Sequence, residues 1–208
     1  MAYGLVLLRC APMVLSAASV NFSYNQYLFL QPYLDLAKQS ETSGEPTGET
    51  GDTAYKGIAR SQVNVMLAPY IHQQFPSGFA AILALYPTAW VAAGLNLAAG
   101  RSAAPALPRA SRYFYAAGLV FSIGHMLWGP QAKDLMERLG RLGKYSSRPT
   151  TDKSDDGKSK DDEDSKDNKD NVALLGQWLR LHTTRSLVAD VPGWLCFTAA
   201  FVLSHRFV

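Results

Sequence analysis

Two histidines, an arginine and two tryptophans stand out because each interrupts or closes a stretch that is otherwise hydrocarbon. Asn171, Leu175, Trp178, His182, Arg185 and Ala189 follow at steps of 4, 3, 4, 3 and 4, the spacing that keeps residues on a single helical face. His125 and Trp128, three apart, end an earlier apolar run. Imidazole titrates near neutrality, so His125 or His182 is suited to take a proton from an acidic carbon. A guanidinium such as that of Arg185 holds a phenolate or enolate oxygen as charge develops on it. Trp128 and Trp178 offer flat apolar walls for an aromatic substrate, with Asn171 as a polar contact on the same stripe. A blander account makes the histidines and tryptophans interface residues and lets Arg185 snorkel to headgroups. Taken as a set they favour function, because ionisable groups at membrane depth are costly and are kept for a task.

These residues need elements to hold them. The chain has 208 residues, 48% hydrophobic and 18% charged, with a net charge of +3. That average conceals a segregation. Residues 149–171 hold five lysines against nine Asp/Glu, leaving 15 basic against 8 acidic residues elsewhere. We therefore expect a disordered charged insert at 149–171 inside an apolar, mildly basic protein. The basic surplus sits near span ends and suits anionic lipid headgroups, and no basic stripe interleaved with aromatics points to nucleic acid. Cys10 and Cys196 lie in apolar stretches without the paired spacing of a zinc or redox motif.

Four spans are expected, over about residues 3–30, 78–99, 113–129 and 174–204. The first is broken by Arg9 and softened by Asn21, Asn25 and Gln26. Ala17-Ala18-Ser19 resembles a cleavage site, but no positive charge precedes the run and Tyr27-Leu28-Phe29-Leu30 resumes it. We expect it to be retained. Residues 78–99 contain no charged side chain and match the length of the hydrocarbon layer. Val63, Met66, Leu67, Tyr70 and Ile71 suggest a short amphipathic helix, and residues 131–144, with Leu135, Leu139 and Leu142, a second. A final helix of about 33 residues would run roughly 50 Å, so its polar first half must protrude or face a wet cavity. The expectation is an all-α, four-helix transmembrane bundle with amphipathic flanking helices and one disordered charged loop. It forms a single multi-pass membrane domain, its orientation and organelle left open. With four spans, the two stripes lie toward the same membrane side and converge at the mouth of the bundle.

The constellation leaves two chemistries open. His125 and His182 could instead be metal or haem ligands, with His72 as a third, although no spacing such as His-Glu-x-x-His supports a metal site. Phosphate-binding glycine loops, a nucleophile elbow, a dinucleotide fingerprint and transporter-type repeats are all missing from the sequence.

His125-x-x-x-Gly129-Pro130 closing one span, then Asn171 and Trp178-x-x-x-His182-x-x-Arg185 opening the last, resembles the anthrone-oxygenase-like family. These are small four-span membrane proteins frequent in fungal pathways to aromatic polyketides. The resemblance covers most of the chain by topology and is specific in those two segments. It implies oxygenation of an activated aromatic carbon, as in anthrone to anthraquinone, with O2 as cosubstrate. In that scheme His182 or His125 would remove a proton to give a carbanion that reacts with O2. Arg185 would stabilise the anion and the indoles would hold the rings. No organic cofactor is then required, and a histidine-bound metal is the competing version. The rival functions are a non-catalytic membrane scaffold for pathway enzymes, using its acidic loop, and a small metabolite transporter.

Overall fold

The computed structural model describes residues 2–42, 60–99, 106–146 and 171–205. Among the described residues the secondary structure is entirely helical, as the all-α expectation requires. The elements are α1 (Ala2–Thr42), α2 (Arg60–Ala99), α3 (Arg109–Gly124), a 3-10 turn (His125–Trp128) and α4 (Gly129–Ser146). After them come α5 (Asn171–Arg185), a π turn (Ser186–Asp190) and α6 (Val191–His205). The charged insert lies outside the described residues, apart from Asn171, which opens α5.

Three helical stretches are long and apolar enough to cross a membrane: Tyr3–Gln39, Gln62–Ala98 and Asn171–His205. Helix α3 has 16 residues, about 24 Å of helix, short of the ~20 residues a crossing takes. Several boundaries differ from expectation. The amphipathic segment around 63–71 and the span at 78–99 are one helix, α2, running through Pro69, Pro76 and Pro87. Pro130 does not end the helical course either. It is the second residue of α4, a first-turn position where the missing N–H would have had no intrahelical partner.

The chain divides into two compact units. The first comprises Met1–Tyr27, Ser77–Ala132 and Arg180–Val208, drawing on parts of α1, α2, α3 and the α5–π–α6 course. Each pair of these four courses shares a hydrogen bond. Asn96 Nδ2 donates to Leu8 O at 2.7 Å, Tyr115 Oη to Arg9 O at 2.6 Å, and Arg9 Nη1 to Ser204 O at 3.5 Å. Trp90 Nε1 donates to Ser122 Oγ at 2.8 Å, Tyr86 Oη to Asp190 Oδ1 at 2.8 Å, and Ser111 Oγ to Ala200 O at 2.7 Å. Tyr115, Phe197, Ala93 and Ala200 form the apolar centre. A methyl on Gly118 would lie 2.7 Å from the Phe197 ring, so glycine is what lets α3 and α6 approach so closely.

Polarity in this unit is inverted relative to a water-soluble domain. Arg9, Ser19, Ser23, Asn96, Ser122, His125 and Asp190 are buried, while Leu7, Leu83, Val120 and Leu195 are more than half exposed. Large apolar side chains outside and polar groups inside suit hydrocarbon surroundings.

The second unit comprises Leu28–Pro76 and Lys133–Leu179. Its described parts centre on Ala37, Val63 and Val172, with Tyr33, Leu34 and Leu36 packed on them. Asn64 Oδ1 accepts the Val172 N–H at 3.1 Å, satisfying a first-turn donor of α5 that has no partner within the helix. Its described charged residues include Asp35, Lys38, Lys133, Asp134, Glu137 and Arg138.

Candidate functional site

The polar centre of the first unit is assembled by two local departures from α-helix. At the end of α3 the backbone tightens into the 3-10 turn, which begins at His125, 4% exposed. In the last course the Val191 N–H bonds Ser186 O, five residues back, and makes the π turn. The sequence gives a reason: Pro192, one residue further on, has no N–H to continue the α pattern. In uninterrupted α geometry Asp190 would sit about 140° around the axis from Arg185. The wider turn swings it back toward the face that carries Arg185 and His182. All three are buried.

His125 Nδ1 lies 2.6 Å from Asp190 Oδ1, and Tyr86 Oη donates to the same oxygen at 2.8 Å. Tyr86 Oη is also 2.8 Å from His125 Nδ1, and the two rings are 4.2 Å apart between centroids. A carboxylate oxygen only accepts, so it fixes the hydrogen of His125 on Nδ1 and leaves the Nε2 lone pair as the basic position. His182 is placed differently. Its Nε2 is 3.3 Å from Ser23 O, an acceptor, and its Nδ1 receives Arg185 Nη2 at 2.6 Å. With a carbonyl on one nitrogen and a guanidinium on the other, His182 orients Arg185; its lone pair is already engaged.

Two buried polar atoms of this cluster lack a hydrogen-bond partner: Asp190 Oδ2 and Arg185 Nε. Among the described residues no carboxylate pairs with Arg185, and Asp190 pairs only with His125. A buried charge without a matched partner is expensive in a fold and is retained where it acts on something else. Beside it lies a small half-open cleft of about 10 Å³, room for about one water-sized group. Tyr86, Asp190, Ser16, Ser19, Trp194 and Phe197 line it.

The structure gathers His125, His182 and Arg185 in the first unit. Trp128, half-buried in the 3-10 turn, belongs to the same unit but makes no ring contact or hydrogen bond with them. Trp178 and Asn171 belong to the second unit; Trp178 is buried, and Asn171 donates to Asn64 O at 3.0 Å. His72 is in the second unit as well. Among the described residues no three His, Cys, Asp or Glu side chains come together around a common point. The nitrogens of His182 already face a cation and a carbonyl. With both nitrogens engaged in this way, His182 does not offer a lone pair to a metal or haem iron. Sequence reasoning missed Tyr86 and Asp190. The available signals were an acidic residue in an apolar stretch, a proline two positions later, and a phenol in a charge-free span, whose hydroxyl demands a partner.

The chain is similar to several proteins named as epoxidases. A protein of Acremonium sp named epoxidase pydX is 27% identical over 119 residues, 57% of this chain and 58% of that protein. Epoxidase gkaX of Penicillium citrinum is 24% identical over 199 residues, covering 96% of this chain and 95% of that protein. A probable epoxidase of Mollisia scopiformis, scpX, is 54% identical over a segment of 26 residues. No family model matches the chain, and no solved structure does. The likeness to anthrone oxygenases thus stays a resemblance, and the relatives found by comparison are named as epoxidases.

Proposed function

We propose that this protein is a membrane-bound oxygenase of fungal-type secondary metabolism that transfers an oxygen atom from O2 to an unsaturated, lipid-soluble intermediate. Epoxidation of a carbon–carbon double bond is the form favoured by the names of its relatives. Oxidation of an anthrone-like aromatic carbon is the second form, favoured by the resemblance of the two motif segments. The observation that carries the reading is the buried His125–Asp190–Tyr86 cluster with Arg185 beside it.

The chemistry follows from the donors and acceptors. His125 Nε2 removes a proton from an enol, phenol or activated carbon of the substrate. Asp190 holds the Nδ1 hydrogen and stabilises the imidazolium that forms. Arg185, aimed by His182, faces the developing oxyanion. The resulting electron-rich anion reacts with O2. When the substrate gives up two hydrogens, one oxygen atom enters the product and the other leaves as water, with no further reductant. An anthrone then becomes an anthraquinone, and a hydroquinone becomes a quinone epoxide.

The first unit serves as the membrane-embedded part, and α3 with its 3-10 turn serves as the fourth crossing. The inverted polarity of the unit supports both statements. The test is product analysis with and without the gene, followed by turnover of the accumulating precursor by purified protein under ¹⁸O2. One labelled oxygen in the product is expected. Unlabelled product or no conversion overturns the oxygenase reading. Movement of an unchanged precursor across vesicles would make the protein a transporter, and dependence on residues 153–170 alone would make it a scaffold.

A further inference from the structure

We infer that the cleft at Asp190 receives the hydroxyl of an apolar alcohol or phenol, which donates its hydrogen to Asp190 Oδ2. The inference rests on the oxygenase reading of the same site and names its substrate class. Asp190 divides its two oxygens unequally: Oδ1 takes the hydrogens of both His125 and Tyr86, and Oδ2 takes none. A buried carboxylate oxygen accepts and cannot donate, so the group that completes it must bring a hydrogen. Charge narrows the choice. A carboxylate would meet the charge of Asp190, and an ammonium would have to give up its water to enter so small and apolar-walled a cleft, which leaves a neutral donor.

Size narrows it again. With about 10 Å³ of room, the cleft admits a hydroxyl and excludes a ring or an amide. The rest of the molecule therefore stays outside, against the part-exposed Trp194 ring of the lining. Ser19, Tyr86 and Asp190 fall toward the middle of the described helices that carry them. In a protein embedded through those helices, the body of the ligand lies in hydrocarbon and only its hydroxyl enters the protein.

The test uses full-length protein in lipid nanodiscs and two probes: a long-chain alcohol carrying a diazirine near its hydroxyl, and the methyl ether of the same molecule. After photolysis, labelled peptides are mapped by mass spectrometry. The alcohol should label the peptides holding Ser16, Ser19 and Trp194 about fivefold more than the ether, the ratio a single neutral hydrogen bond gives. In Asp190→Asn the side-chain oxygen stays with His125 and Tyr86, and an amide donor takes the place of Oδ2. The preference should then vanish or reverse. Equal labelling by the two probes, or a preference that survives Asp190→Asn, overturns the inference. Should that variant fail to fold, Ser16→Leu carries the test. Ser16 lines the cleft and is part-buried, so the longer side chain takes up the space, and undiminished alcohol labelling of the Trp194 peptide there also overturns it. Neither readout involves oxygen, so labelling as expected without ¹⁸O in any product would sink the oxygenase reading alone.

Discussion

His125 Nδ1 and Asp190 Oδ1 lie 2.6 Å apart although 65 residues separate them in the chain. A neutral imidazole with its Nδ1 hydrogen tied to a buried carboxylate has one basic position left, and that position defines its role. We expect His125→Ala to lower product formation by about 10²–10⁴-fold, the usual worth of a positioned general base. The protein should remain folded, as checked by helical circular dichroism and gel filtration in detergent.

Asp190→Asn should cost at least about 10²-fold, because a neutral amide no longer stabilises the imidazolium that forms on His125. The two residues act as one unit, so the double variant His125→Ala/Asp190→Asn should be little worse than either alone. Turnover of the three variants measures this directly, and multiplicative losses would show that the residues work independently.

His182 is expected to act through Arg185. His182→Ala removes the acceptor that aims the guanidinium and should lower turnover at least about tenfold, as for a lost hydrogen bond to a charged group. His182→Gln, whose carbonyl can accept from Arg185, should recover most of that loss. A base at His182 would be abolished equally by both changes, so comparing the two variants separates the roles.

Deleting Val188 should convert the π turn to ordinary helix. With one residue fewer, Asp190 stands four α steps from Arg185, about 40° around the axis instead of about 140°, so it stays on the face of His182 and Arg185 without the π turn. Helical content by circular dichroism and product formation should both be largely retained, and loss of product would show that the π turn does more than set this register.

Gly118→Ala places a carbon 2.7 Å from the Phe197 ring, and overpacking of this kind costs about 1–3 kcal/mol. The midpoint of thermal unfolding in detergent should fall by several degrees.

Much of the scaffold was legible from periodicity. The all-helical class and an apolar final helix of some 33 residues correspond to a described helical course of 35, Asn171–His205. Pro130 misleads one boundary: it reads as a stop, yet the helical course runs on through it, as α2 does through Pro69, Pro76 and Pro87, because long packed helices absorb a missing N–H. The stripe from Asn171 to Arg185 was read as one site. Its members do share a buried face, but 14 residues of helix extend about 21 Å, and the stripe spans both units. A face is not a place. Asp190 was invisible to that reasoning for the opposite reason, since regular spacing put it on the wrong side and only the π turn brings it in.

The mesh of polar bonds joining every pair of courses in the first unit bears on how such a molecule tolerates change. Oil offers helices no preference among greasy neighbours, so partner and register are decided by a few directional bonds from Asn96, Ser111, Tyr115, Trp90 and Tyr86. Slipping any helix by one turn would strand a donor in a dry interior. The outer coat is under no such instruction. Its leucines and valines are interchangeable fat, free to be retuned to bilayers of different thickness while the interior keeps its wiring.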